Sequence, residues 1–310
     1  MVKLIPKLAL LLLTLASTLE ARIEQYFQKI EGKPDHHSIK NVDFIYMINL
    51  DERPEKFERA AAILATYNIH PYRFSAVNGW KLPLSTINDL GVKFAKGMNT
   101  GFLASAYLPE DSFKRTDEMI HVEGRTYFAH DLSRGAIGAA LSHLSILQDA
   151  YDSGYETIWV MEDDIAIAQD PRIISDLIEA LDNRVGSKNW DILFTDKNTQ
   201  NPNGDYIPYY GFDHRPNFTP KNSKKLKKVK TIDKNFRKVG ARYGAYSMIL
   251  RRSGIKKILN FLKIHDLFLH YDREYFQPED IQLYTVTKDV VRHQNHSVSD
   301  SSNGSTLTPH

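Results

Sequence analysis

Apolar positions in this 310-residue chain follow two alternating patterns: short unbroken β-branched runs, and longer stretches with an apolar residue every three or four positions. Phe44-Ile-Tyr-Met-Ile-Asn-Leu50 is the first unbroken run and reads as a buried strand. It passes directly into Asp51-Glu-Arg-Pro54, after which Phe57, Ala61, Leu64 and Tyr67 fall at helical spacing. Pro54 suits the first helical turn, where a missing N–H costs nothing. Arg134 to Gln148 is a second helix, with Ile137, Ala140, Leu141 and Leu144 on one face and small residues at its start that permit close backbone packing. Through Asp152-Ser-Gly154 it leads into a second buried run that begins at Thr157. Further on, the pattern predicts a helix over Pro171–Val185, strands over Trp190–Phe194 and Gly244–Leu250, a helix capped by Ser253 and running to Lys263, and a last strand over Ile281–Thr287. Strands alternating with helices place the chain in the α/β class, and one large domain over residues 40–296 is more economical than two. There is no internal repeat of 20 to 50 residues and no heptad run.

The run that starts at Thr157 ends in three consecutive carboxylates, Glu162, Asp163 and Asp164. Buried strands do not finish in clustered like charges without a compensating cation. Side chains alternate along a strand, so Glu162 and Asp164 are expected on one side and Asp163 on the other. An acidic pair at the carboxyl end of a strand lies where open α/β sheets bind ligands, and hard oxygen ligands suit Mg²⁺ or Mn²⁺, which in turn hold phosphate oxygens. A solvated acidic turn is the competing reading. Ser142 and His143 are not a nucleophile–base dyad, because neighbours on a helix point about a third of a turn apart and no Gly-x-Ser-x-Gly elbow is present. Gly135 and Gly138 lack the spacing and the preceding strand of a dinucleotide fingerprint.

Three ordered motifs, Ile48-Asn-Leu-Asp-Glu-Arg53, Gly135-Ala-Ile-Gly-Ala-Ala-Leu-Ser-His143 and Trp159-Val-Met-Glu-Asp-Asp164, make the chain resemble glycosyltransferase family 25. That family includes the lipooligosaccharide and the procollagen galactosyltransferases. The resemblance is firm over residues 42–170 and weaker towards residue 295. It departs at Ala139, where the family often has Cys, an exchange that leaves the chemistry of a packed helix untouched. The resemblance implies a GT-A-like fold, a single domain whose mixed, mainly parallel central sheet is flanked by helices. It also implies a UDP-sugar donor, with UDP-galactose leading, a glycan or glycoprotein acceptor, inversion at the transferred carbon, and Mn²⁺ or Mg²⁺ held by Glu162 and Asp164. Asn49, Arg53, Ser142, His143, Glu162 and Asp163 are the implied donor-binding residues. The guanidinium fork of Arg53 suits a diphosphate, against a surface pairing with Glu52 or Glu55; His143 is a donor or acceptor contact, against a hydrogen-bonded core histidine. Asp272, in His270-Tyr-Asp-Arg-Glu-Tyr-Phe276, matches a functional acid that follows a proline in the family, although His270 replaces the proline here. It is the expected catalytic base, with Glu274 and Asp280 as nearby substitutes and a surface pairing with Arg242 or Arg273 as the alternative. His293 is expected to complete the metal shell, as a late histidine does in several GT-A enzymes, with His296 close behind it.

Composition adds limits. The chain has no cysteine, which excludes disulfides and thiolate metal sites without deciding the compartment. Lys221 to Lys230 holds six lysines; removing them from the 40 basic residues leaves 34 against 38 acidic, so the net charge of +2 is local to one block. A nucleic-acid partner would want a distributed basic face, and a solvated lysine-rich loop within residues 213–238, with contact to anionic lipid as the other reading, fits better. Asn198 to Phe218 has the composition of a long ordered loop, where Tyr206, Tyr209, Tyr210 and Phe212 are candidates for stacking on an acceptor sugar. Lys3 and Lys7 precede the apolar stretch Leu8–Ser17, the pattern of a signal peptide or anchor over residues 1–21, so the expected location is the membrane, the secretory pathway or an exported compartment, or the cytoplasmic membrane face if the segment is uncleaved. Sequons at Asn217, Asn295 and Asn303 matter only in a glycosylating compartment. Residues 297–310 have the composition of a disordered tail. The expected function is therefore a metal-dependent glycosyltransferase, its rivals being a non-catalytic carbohydrate- or nucleotide-binding protein that kept the fold and, more remotely, a metal-dependent hydrolase.

Overall fold

The computed structural model describes residues 23–34, 39–197, 209, 214–294 and 300. The segment 1–21, Tyr206, Tyr210, Phe212, His296 and two of the sequons, Asn295 and Asn303, lie outside the described residues. In chain order the strands are β1 (Phe44–Asn49), β2 (Tyr72–Ser75), β3 (Val92–Lys93), β4 (Leu103–Leu108), β5 (Asp111–Met119), β6 (Thr126–Ala129) and β7 (Thr157–Glu162). They continue with β8 (Ile165–Ile167), β9 (Ile192–Phe194), β10 (Val229–Thr231), β11 (Phe236–Val239), β12 (Ser247–Arg251), β13 (Leu283–Val286) and β14 (Val291–His293). The α-helices are α1 (Pro54–Ala65), α2 (Leu84–Leu90), α3 (Arg134–Asp152), α4 (Ile174–Val185), α5 (Arg252–His265) and the single turn α6 (Tyr271–Glu274).

Eight strands form the central sheet in the order β10-β11-β13-β9-β12-β7-β1-β2. The sheet is mixed as expected, but parallel pairing is confined to β7-β1-β2 and β9-β13. Because β12 enters antiparallel to both β7 and β9, antiparallel junctions outnumber parallel ones. The sheet is covered on both faces. Along β1, Phe44, Tyr46 and Ile48 pack into the core cluster shared with Ile137, Leu141 and Leu144 of α3, whereas Ile45 and Met47 pack into the second cluster with Leu64 of α1 and Ile178 of α4. The same split runs along β7, with Ile158 and Val160 on the α3 side and Trp159 and Met161 on the other. This two-sided burial is why both strands read as unbroken apolar runs.

α3 is buried over most of its length and begins at Ser133, whose hydroxyl accepts the N–H of Ala136 at 3.0 Å. Its small residues matter at Gly138: a Cβ there would stand 2.4 Å from both the Gly79 nitrogen and the Val77 oxygen, so only glycine lets the 77–79 loop lie on the helix. Pro54 occupies the first turn of α1 as expected. Ser253 differs from expectation: α5 starts at Arg252 without a side-chain cap, and the Ser253 hydroxyl donates to Asp191 Oδ1 at 2.6 Å instead. The lysine-rich block is solvated as expected, its lysines mostly exposed, but it is not a loop throughout, forming a short 3-10 turn (Ser223–Lys227) around the buried Leu226 and then β10, the sheet's edge strand. Lysines on an exposed edge discourage pairing with another strand. A second sheet, ordered β3-β6-β4-β5 and antiparallel, occupies a region where the sequence pattern predicts no element. Tyr209 is buried against Tyr243 and Phe276 rather than presented to a sugar, and the Asn217 sequon amide donates to the His265 carbonyl at 2.7 Å.

Candidate functional site

β1 and β7 are parallel neighbours, so their carboxyl ends open at the same edge of the sheet. A cleft of about 160 Å³ lies there, walled by Asn49 and Leu50 from β1 and its turn, Lys56 from α1, the 76–80 loop, Gly135, Ala139, Ser142 and His143 from α3, and Glu162, Asp163 and Asp164. Asp300, from near the end of the chain, completes the lining. The three motifs separated by about a hundred residues thus meet at one place.

Each acidic side chain is held differently. Glu162 still obeys the strand alternation and faces α3, where His143 Nε2–H donates to its Oε1 at 3.1 Å. His143 is 2% exposed and stacks on Tyr271 with ring centroids 4.1 Å apart. The strand stops at Glu162, so alternation no longer governs the next two residues, and all three carboxylates line the cleft instead of dividing between two sides. Asp163 accepts the Asn49 amide N–H at 2.6 Å, while Arg59 donates to its backbone carbonyl at 3.2 Å. Asp164 accepts from His293 Nε2–H at 3.0 Å, and the Gln294 N–H donates to the Asp164 carbonyl at 2.7 Å. Burial pushes the Asp163 carboxyl up to about 6, against the Asn49 hydrogen bond and the Lys56 charge, which favour the anion. The hydrogen bond to Asp164 raises the His293 imidazole above its ordinary value despite burial.

Asn49 organises the corner. Its Nδ2 also donates to the Arg53 carbonyl at 2.8 Å, and Arg73 Nε donates to its Oδ1 at 2.8 Å, so both ends of the buried amide are engaged and its contribution is to position Asp163 and the β1–α1 turn. Ser142 is likewise engaged, donating to the Gly138 carbonyl and accepting the Val77 N–H, each at 2.8 Å, which ties the 76–80 loop to α3. Arg53 pairs with Glu55 at 2.7 Å, the surface pairing anticipated, and also with Asp300. Asp272 does not line the cleft; its Oδ2 accepts the Gly244 N–H at 3.0 Å, one residue from Tyr271. Neither anticipated surface partner holds it, since Arg242 pairs with Asp196 and Arg273 with Asp131. Glu274 is excluded as a base: it is fully buried, paired with Arg215, and caps the Phe268 and Leu269 amides at 2.8 Å. Asp280 pairs with Lys257 at 3.4 Å.

Among the described residues no group of three or more His, Asp or Glu side chains is gathered as a ready metal shell. Asp164 and His293, joined by a 3.0 Å hydrogen bond, nevertheless offer an oxygen and, once that proton is released, an imidazole nitrogen that would suit a divalent cation. Mg²⁺-type sites commonly use only one or two protein ligands and leave the remaining positions to water and phosphate. Glu162, held by His143, is the nearby third carboxylate. Sequence reasoning missed Lys56, Trp80, Tyr271 and Asp300; of these, only Tyr271 carried a signal, its place beside the singled-out Asp272.

Fold and site together define an α/β protein with an acidic ligand cleft at the carboxyl ends of parallel strands. The family model described as glycosyltransferase family 25 (LPS biosynthesis protein) matches residues 42–274, and the chain belongs to that family. It is similar to a human protein named inactive glycosyltransferase 25 family member 3, 28% identical over 161 residues, which cover 52% of this chain and 22% of the relative. A glycosyltransferase 25 family member of Drosophila melanogaster is 24% identical over 169 residues, 54% of this chain and 23% of the relative. Procollagen galactosyltransferase 1 of Danio rerio is 27% identical over 123 residues, 40% of this chain and 16% of the relative. The matched segments span less than a quarter of each of these relatives. No helix among the described residues is long and apolar enough to cross a membrane.

Proposed function

We propose that this chain transfers a hexose, galactose in the leading case, from a UDP-sugar to a hydroxyl of a glycan or glycoprotein, using Mn²⁺ or Mg²⁺. The observation that carries the reading is the meeting, in one cleft, of the Glu162-Asp163-Asp164 cluster with Lys56, to which Asp300 links the adjacent Arg53. Carboxylates and fixed cations gathered at one cleft form the complement of a metal–diphosphate, and the negative charge that develops as a sugar–phosphate bond breaks is stabilised by such preorganised groups. Asp164 and His293 would hold the cation, with Glu162 beside them. When bound, the cation supplies positive charge to the departing diphosphate. The chain's own residues do the rest: His143 fixes the Glu162 carboxylate, Asn49 fixes Asp163, and the 76–80 loop, tied down by Ser142, closes the cleft on the α3 side. Asp272, outside the cleft lining but next to Tyr271, which stacks on the cleft residue His143, is the proposed base that removes the acceptor proton; the Gly244 N–H orients its carboxylate.

A non-catalytic, donor-binding role is the second reading, favoured by the naming of the human and mouse relatives as inactive. A panel of nucleotide sugars offered with Mn²⁺ and scored for both sugar release and UDP binding separates the two. Turnover of a UDP-hexose supports the transferase, binding without any turnover supports the second reading, and absence of both contradicts the proposal.

A further inference from the structure

Lys56 is the most unusual cation of the cleft. Its side chain is 7% exposed, and lysines are rarely buried without an anion to meet them. It stands in the first turn of α1, one turn from Arg53, where the amide groups of the helix start add partial positive charge. Both cations point at the same object. Asp300, more than 240 positions away along the chain, places one carboxylate oxygen on Arg53 NH1 and the other on Lys56 Nζ. That carboxylate is itself largely buried, at 13% exposure, although the composition of its surroundings in the sequence reads as disordered tail. A polar tail has no apolar area with which to dock. What seats Asp300 is the charge of the pair beneath it.

We propose that Arg53 and Lys56 form the anion subsite of the cleft, that this subsite takes the diphosphate of the donor, and that Asp300 is an intramolecular occupant which the diphosphate must displace. The proposal rests on the reading of the cleft as a donor site and deepens it by naming the phosphate-binding cations and a competitor built into the chain. A carboxylate bridging two cations presents two oxygens about as far apart as two oxygens of one phosphate, so the same pair receives either group. Lys56 lines the same cleft as the acidic cluster, and both cations lie close enough to Asp163 for their charges to act on each other, so fixed cations and metal-binding carboxylates are available to one diphosphate. Asp300 adds a second anion beside Lys56, next to Asp163, when the donor leaves, and it lowers apparent donor affinity by the fraction of time that it is seated.

The test is calorimetry on the full chain with inorganic pyrophosphate and with UDP, each with Mn²⁺ present. Asp300→Asn keeps the shape and removes the charge, and it is expected to tighten both ligands about threefold to tenfold. Glu110→Gln, at an exposed position, controls for net charge and should change neither. Lys56→Met keeps the stem and removes the ammonium; it is expected to weaken both ligands about tenfold or more, and Lys56→Arg to restore most of that loss. Thermal melts accompany each variant, and retention of a cooperative transition by Lys56→Met or Lys56→Arg is enough for the comparison. Unchanged affinity in Lys56→Met overturns the subsite, and unchanged affinity in Asp300→Asn overturns the competitor. If pyrophosphate binds in a Lys56-dependent way while UDP binds no better, the subsite stands and the nucleotide-sugar reading fails, which keeps the two claims distinguishable.

Discussion

Replacing Asp163 by Asn is expected to stabilise the folded protein while weakening its cleft. The Asp163 carboxyl lies between Glu162 and Asp164, and burial lifts it from an ordinary value of 3.8 to about 6. A folded-state value above the unfolded one means that the anion is disfavoured by folding. The resulting penalty is absent below about pH 3, grows as pH rises, and is complete above about pH 7. At 1.36 kcal/mol per unit, the difference of roughly two units corresponds to about 3 kcal/mol at pH 8 and to about 1 kcal/mol at pH 4.5. Asn keeps the volume, and its carbonyl oxygen can still accept the Asn49 N–H, but the attraction to Lys56 is lost. The expected net gain is therefore about 1–3 kcal/mol at pH 8, shrinking to a third or less at pH 4.5. Urea unfolding of both proteins at the two pH values, with EDTA present so that no cation offsets the charge, measures it directly. A variant no more stable than wild type at pH 8, or one whose gain is the same at both pH values, refutes the argument that the carboxylate is held there against its desolvation cost.

Asp272→Asn should lower kcat by about a hundredfold with donor Kd unchanged, because a base acts in the transition state and Asn can still accept the Gly244 N–H; a loss of donor affinity instead would move Asp272 into the donor site. Glu274→Ala should destabilise the fold by about 3–5 kcal/mol by leaving Arg215 uncompensated in the core, and a loss below 1 kcal/mol in urea unfolding would contradict the structural role assigned to it. Gly138→Ala should force the 77–79 loop off α3, costing about 1–3 kcal/mol and weakening UDP binding severalfold; wild-type values of both would show that the contact is not required.

The parts of the fold legible in the sequence are those whose local pattern and tertiary burial agree. β1 and β7 are buried on both faces and therefore appear as unbroken apolar runs, and α3 packs so closely that its small and apolar residues mark it from the first turn. β5 is the opposite case: nine residues, Asp111 to Met119, mostly exposed and charged, whose extended form is dictated by pairing with β4 rather than by any alternation of their own. The candidate site divides in the same way. The acidic cluster and its neighbours on β1 and α3 are visible because each lies within a legible element or at its end. Asp163 was assigned to the wrong side because strand alternation was carried two residues beyond the point where the strand ends. Lys56 and Asp300 owe their places to contacts between segments far apart in the chain, for which the sequence holds no local signal. His143 matches the reading of a buried, hydrogen-bonded histidine, and its partner is the cleft carboxylate Glu162.

The central claim is that the carboxyl end of β7 holds a divalent cation which in turn holds a nucleoside diphosphate. Titration calorimetry of UDP into the purified protein, with Mn²⁺ and with EDTA, and into Asp164→Asn with Mn²⁺, tests it most directly. The account predicts that UDP affinity falls at least tenfold on chelation and falls comparably in Asp164→Asn, while the variant retains a wild-type thermal transition. Equal UDP affinity in all three would contradict it.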